Sequence, residues 1–118
     1  MKIVLLRLAR ALGLFALGRW LTRDAVMIVG WHGVSPSDEH ARFPSLFISP
    51  DALRSRLAFL SRHYAIVDLD TVAQQHAAGR FAPRQAVLTF DDGMQNFQDV
   101  AVPILREFGL TATNYLVT

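Results

Sequence analysis

Ala86-Val87-Leu88-Thr89-Phe90-Asp91-Asp92-Gly93 joins a short apolar run to two adjacent carboxylates and a glycine. The run is short and β-prone, and Pro83 separates it from what precedes, which suits a strand buried on both faces. From Met94 the period changes. Phe97, Val100, Ile104, Leu105 and Phe108 fall at i, i+3, i+7, i+8 and i+11, a helical face that Gly109 closes. An Asp-Gly pair signals a hairpin only when two alternating strands flank it, so the helical period after Gly93 argues for strand, turn and helix instead. Pro103 has no N–H and clashes one turn back, which predicts a kink or a fresh helix start there.

Working backward, residues 25–31 (AVMIVGW) form a second short apolar run, read as a strand that ends at Trp31-His32-Gly33. Residues 33–48 are rich in Gly, Pro, Ser and charge without a period, and read as a long surface loop. Ser49-Pro50 then starts a helix, with Ser49 as N-cap and Pro50 preset for the first helical position. Leu53, Leu57 and Leu60 mark its buried stripe. Tyr64 to Val67 reads as a strand, Asp70 and Gly79 bracket a short helix, and Ala112 to Val117 reads as a last strand. Strands separated by helical crossovers define the α/β class with a parallel sheet covered by helices. Four such strands are about half of an eight-stranded barrel, whose usual size is about 250 residues. Two folds fit that order, each preceded by an N-terminal helix: the first half of a (β/α) barrel, incomplete as it stands, or an open parallel sheet whose last edge is apolar and unpaired.

The 118 residues are 52% hydrophobic, ample for one globular core. There is no cysteine, so disulfides and thiolate metal sites are excluded, and any metal falls to His, Asp or Glu. The net charge of +2 is uneven: Lys2, Arg7, Arg10, Arg19 and Arg23 all precede the first acidic residue, Asp24, leaving seven basic against ten acidic residues beyond it. Arg54, Arg56 and Arg62 lie on one predicted helix without base-reading companions, so they read as a solvated face and no nucleic-acid partner is expected. Residues 1–23 form a basic, apolar segment set apart from a domain over 24–118. Their uncharged stretch, residues 11–18, is too short to span a bilayer. Three readings stay open for this segment: peripheral contact with an anionic membrane surface, docking on the domain it precedes, or a signal-like peptide ending near Ala16-Leu17-Gly18. A cytoplasmic or membrane-associated place is favoured over secretion.

In parallel α/β folds the loops after strand C-termini share one functional face. That brings His32, the Asp68 to Asp70 region and Asp91-Asp92 to the same end. Two adjacent carboxylates raise each other's pKa unless a cation or hydrogen-bond donors hold them ionised. A divalent metal would do so, one carboxylate ligating it while its neighbour takes a proton from bound water. The plainer reading is a turn and a helix cap. Asp68 and Asp70 read as helix caps rather than ligands, His40, His63 and His76 as surface residues, and Trp20 and Trp31 as packing residues ahead of sugar-stacking ones.

Thr89-Phe90-Asp91-Asp92-Gly93 resembles the first signature of the NodB-type polysaccharide deacetylases, carbohydrate esterase family four. Trp31-His32-Gly33-Val34 resembles the family's opening strand, Ile48-Ser49-Pro50 through Tyr64 its first helix, and Pro103-Ile104-Leu105 through Gly109 to Ala112-Thr113 the segment after the signature. The resemblance covers roughly residues 25–118. It implies a distorted (β/α) barrel that hydrolyses N-acetyl groups on amino-sugar polymers or oligosaccharides, with a divalent metal, usually zinc. By carry-over Asp91 matches the general base and Asp92 the metal ligand; His32, by its place at a strand end on the same face, would line the site or orient a ligand, the plainer reading being a hydrogen-bonded histidine beneath the loop. The family's His-x-x-x-His ligand pair is missing: His32, His40, His63 and His76 do not have that spacing. A catalytic zinc takes three protein ligands, so the expectation is a fragment or truncated product, inactive by itself. The alternative is a non-catalytic half-barrel acting as an interaction or glycan-binding module. An aspartyl phosphotransfer domain also places acids at strand ends, but no Asp-x-Asp pair follows the third strand. The glycan, the metal and the oligomeric state stay open.

Overall fold

The computed structural model describes residues 1–118. Its centre is β5 (Gln85–Phe90), whose six residues are all buried. On one side β1 (Val26–Trp31) pairs with it in parallel along its whole length, from Val26 opposite Gln85 to Trp31 opposite Phe90. The other edge is shared. β4 (Ala65–Ile66) pairs in parallel with the start of β5 at Gln85 and Ala86, and β6 (Thr113–Asn114) with its end at Thr89 and Phe90. The sheet is thus wholly parallel, and β5 lies between strands that flank it in sequence on both sides. An apolar run without alternation is what such a doubly covered strand requires.

The helices follow their local signals. α4 (Pro50–His63) begins where the Ser49 hydroxyl accepts the Ala52 N–H at 3.2 Å, and Leu53, Leu57 and Leu60 are its buried residues. α5 (Leu69–Ala77) starts at Asp68 rather than Asp70: the Asp68 carboxylate accepts the Thr71 N–H at 2.7 Å. After β5 a π-helical turn over Phe97–Ala101 runs into α6 (Val102–Glu107). Pro103 sits in the first turn of α6, where its missing N–H costs nothing, and the wider π turn absorbs the bond it cannot make one turn back. Leu88 and Phe90 meet Leu53, Leu57, Ile104 and Leu105 in one core. Phe90 is its aromatic hub, with Trp31 at 5.3 Å and Phe97 at 5.0 Å between ring centroids.

Three segments differ from the sequence expectation. Residues 33–48 are not an unstructured loop: β2 (Gly33–Val34) and β3 (Phe47–Ile48) pair in parallel around a short helix, α3 (Glu39–Arg42). Val34 and Ser35 are fully buried. Two-residue strands are too short to display a period, so composition misled. The last strand spans two residues, not six, because its partner ends: Tyr115 N–H donates to Phe90 O at 2.8 Å, and after Asp91 the chain turns away at Asp92 and Gly93. The N-terminal segment is two helices, α1 (Lys2–Ala11) and α2 (Leu14–Leu21), broken at Gly13, whose φ of 72° belongs to the left-handed region. Neither helix has a buried residue. α2 leans on α4, with the Arg19 guanidinium 5.7 Å from the centre of the Phe59 ring. Between them lies an apolar groove of about 490 Å³ lined by Phe15, Arg19, Met27, Val29 and Phe59 among others. No helix of the chain is long and apolar enough to cross a membrane.

Candidate active site

The site is built at the C-terminal end of β5. Asp91 continues the strand ladder, its N–H donating to Trp31 O at 2.8 Å, and its side chain is half-buried. A β-carbon built on Gly30 would lie 4.0 Å from Asp91 Oδ2 and 3.2 Å from Thr89 Oγ1. The carboxylate therefore lies toward β1, over a position kept open by glycine. Thr89 is pinned on the same side, its hydroxyl donating to Val29 O at 3.4 Å.

Asp92 and Gly93 then turn the chain, with φ of 69° and 58°. Two consecutive left-handed residues reverse the backbone sharply, and Asp is among the few non-glycine residues that tolerate such a φ. Asp92 is exposed. A β-carbon on Gly93 would meet Leu116 Cδ2 at 2.6 Å, so β6 and its continuation close against the turn. The turn thus separates the two carboxylates, one half-buried beside β1 and the other projecting into solvent.

His32 follows Trp31, and since Trp31 pairs with Phe90 the ladder brings His32 to the same level as Asp91. It is half-buried and lines a pocket of about 200 Å³ with Arg56 and residues 44–48, a pocket that neither aspartate lines. The remaining residues expected from sequence fall elsewhere. Asp68 caps α5, His63 packs on the Phe59 ring at 4.5 Å and His76 stacks on Phe81 at 6.0 Å. His40 is not a plain surface residue: its Nδ1 is enclosed without a partner, and its backbone N–H donates to Ser35 Oγ at 2.6 Å. Trp31 is 6% exposed and belongs to the core. No group of three or more His, Asp or Glu side chains is placed to hold a metal ion.

Two asparagines at this end carried no sequence signal. Asn96, in the turn that leads into the π helix, accepts the Val34 N–H through Oδ1 at 3.2 Å and ties β2 to the segment after Asp91. Asn114 pairs with Phe90 at the end of β6, and its Oδ1 is buried without a hydrogen-bond partner. Lone asparagines in a helix's first turn and in a short strand have no pattern to betray them.

A parallel sheet with an acidic turn at its C-terminal end defines the general class of α/β domain whose chemistry lies at strand ends. Comparison with known proteins narrows that class. The chain is 38% identical over 87 residues to the poly-β-1,6-N-acetyl-D-glucosamine N-deacetylase of Escherichia coli K12, a stretch covering 72% of this chain and 13% of that protein. It is 24% identical over 107 residues to the enzyme of the same name from Staphylococcus epidermidis, covering 81% of this chain and 37% of the relative. Among solved structures, the Streptococcus pyogenes deacetylase PplD in complex with acetate superposes with a TM-score of 0.69 and 28% identity, over 82% of this chain and 44% of that one. IcaB from Ammonifex degensii superposes with a TM-score of 0.65 at 22% identity, over 79% and 38%, a likeness of fold. No family model matches. In sequence and in fold the chain is similar to part of a NodB-type polysaccharide deacetylase, and it spans less than half the length of these relatives.

Proposed function

We propose that this chain is the part of a polysaccharide N-deacetylase that carries its general base, acting on N-acetylated amino-sugar polymers or oligosaccharides. The observation that supports it most is the 38% identity to a poly-N-acetylglucosamine N-deacetylase, together with a half-buried Asp91 at the C-terminal end of the central strand. Hydrolysis of an acetamide needs water activated at the carbonyl carbon. In this reading Asp91 takes the proton that the attacking water gives up, the C–N bond breaks, and the products are acetate and the free amine of the sugar. The protonated leaving group requires an acid that none of the residues gathered here supplies. Asp91 suits the role of base by its placement: its backbone is fixed by the Trp31 bond and its carboxylate rests beside Gly30 rather than moving in solvent.

A divalent metal, zinc by resemblance, would polarise the carbonyl in such an enzyme, and Asp92 is its proposed ligand. The donors of this chain do not make up that centre, since they form no group of three and a catalytic zinc takes three protein ligands. His32 is proposed to line the substrate side of the same face, where it stands level with Asp91.

A second reading, a non-catalytic half-barrel that associates through its open edge, is favoured by β1. Its outer edge has no strand partner, and Ile28 on it is 62% exposed. The two readings part on the reading frame and on acetate. The catalytic reading expects a His-x-x-x-His pair encoded in frame beyond Thr118, and loss of acetate release from N-acetylglucosamine oligosaccharides by the encoded polypeptide on Asp91→Asn. A verified stop codon directly after Thr118, with no release of acetate, would overturn it in favour of the half-barrel.

A further inference from the structure

The N-terminal helix pair is the longest stretch of the molecule whose apolar residues are left largely uncovered, with Ile3, Leu5, Leu8 and Leu12 among them. α2 turns Phe15 and Arg19, at i and i+4, toward Phe59 and His63 of α4. Helical spacing then sends Leu14, Leu17 and Leu21 to the opposite side, and all three are more than half exposed. Trp20 joins them at 53% exposure, with the Arg23 guanidinium 4.7 Å from its ring centre. An amphipathic ring with a cation beside it suits the zone between lipid headgroups and acyl chains. Val4 and Leu8 of α1 and Leu12 at its C-terminal cap recur every four residues and are likewise exposed. Lys2, Arg7 and Arg10 lie away from that line, and none of them takes part in an ion pair.

Charge decides between the surfaces that could cover this face. Residues 1–23 carry five cations and no anion, whereas the rest of the chain has seven basic and ten acidic residues. A second copy meeting the same face in a two-fold dimer would bring like charges together. An aqueous environment would leave a patch of this kind bare, and such patches mark interaction sites. We infer that α1 and α2 form a peripheral anchor that lies on an anionic lipid bilayer, with the leucines and Trp20 in the headgroup boundary and Lys2, Arg7 and Arg10 at the phosphates. The helices are too short to span and have the mixed apolar and basic make-up of interfacial helices. Gly13 gives the pair a joint, so α1 can settle on the surface while α2 keeps its contact with α4. The inference does not rest on the deacetylase reading, and either can fail alone.

The test is co-sedimentation of the 118-residue chain with vesicles of phosphatidylcholine, with and without phosphatidylglycerol, followed by tryptophan emission. The chain is expected to bind the anionic vesicles and to leave them as salt is raised. Each cation near such a surface is worth about fivefold in partitioning, so Arg7→Gln with Arg10→Gln should weaken binding about 30-fold. Emission should shift to the blue on binding and fail to do so in Trp20→Phe, because Trp31 is 6% exposed and already apolar in its surroundings. Equal binding to neutral and anionic vesicles, or none to either, overturns the inference. So does a lipid-free dimer that Leu17→Ser with Leu21→Ser dissociates, which would assign the face to a second copy. The substituted residues of α1 and α2 are not buried, and an unchanged unfolding midpoint confirms that each variant is compared in the folded state.

Discussion

β5 and α1 are both short and rich in aliphatic residues, yet they lie at opposite ends of the solvation scale. Every residue of β5 is buried, and no residue of α1 is. The difference is one of neighbours. β5 has a strand along one whole edge and two short strands at the ends of the other, and its side chains touch α4 and α6. α1 satisfies its own backbone and touches chiefly α2, which leaves its side chains without a cover. Apolar content says that a segment will be buried somewhere. Only connectivity says whether this chain provides the place.

The largest effects are expected where that contrast is deepest. Truncating Phe90 to Ala should remove about 3–5 kcal/mol, enough to unfold a domain of ordinary stability, because the ring touches both Trp31 and Phe97. Leu6→Ser in exposed α1 should stay within about 0.5 kcal/mol. Urea unfolding of the two variants measures the gap, and equal losses would mean that α1 is packed against the domain in solution.

Next in size is the turn that carries the site. Gly93→Ala forces a β-carbon into left-handed φ and against Leu116, a cost of about 1–2 kcal/mol. Asp92→Gly at the neighbouring position should be neutral or stabilising, since it relieves the same geometry. If the two substitutions behaved alike, the paired left-handed turn would be wrong. Removing the Ser49 cap with Ser49→Ala should cost about 1 kcal/mol, read from the same unfolding curves.

The smallest effects are titrations that compare α2, which touches the domain, with α5, which caps itself. His63 is held below its ordinary value of 6.5, first by desolvation and then by the positive charges of Arg19, Arg62 and Arg84. The folded state thus prefers neutral imidazole, so stability is full above 6.5 and falls as the pH drops toward the lowered folded value. Arg19→Gln should move the His63 titration upward in an NMR experiment if α2 rests on α4, and leave it in place if α2 is detached. The Asp68 carboxyl is held below its ordinary value of 3.8 by its hydrogen bonds to Thr71, through the side chain and the backbone N–H. Its contribution is present above 3.8 and is lost as the pH falls through the depressed value. Hydrogen exchange at the first turn of α5 should speed up in that acid window and be insensitive to pH there in Asp68→Asn.

Much of the fold was legible in the sequence alone. The buried stripe of α4, the Ser49 cap, the break at Pro103 and the run that became β5 are all local signals, set by spacing of three or four residues or by one side chain's bond to a nearby N–H. The strand–turn–helix around Asp91 and Asp92 was legible for the same reason. What escaped was short or distant. β2 and β3 are two residues each and earn their pairing from one another across a dozen intervening residues. Asp68 and Asp70 both read as caps, and only the bond from the Thr71 N–H decides that Asp68 caps α5 while Asp70 lies in its first turn.

By itself, then, the sequence determined the α/β class, the acidic turn at a strand end and the basic, apolar character of residues 1–23, because each depends on residues close in the chain. Tertiary structure decided that β5 lies between β1 and the shared edge of β4 and β6, that Asp91 is half-buried while Asp92 stands in solvent, and that Asn96 and Asn114 join the same end. Those outcomes depend on which strand lies beside which, and partners far apart in the chain leave no mark on either one's local pattern.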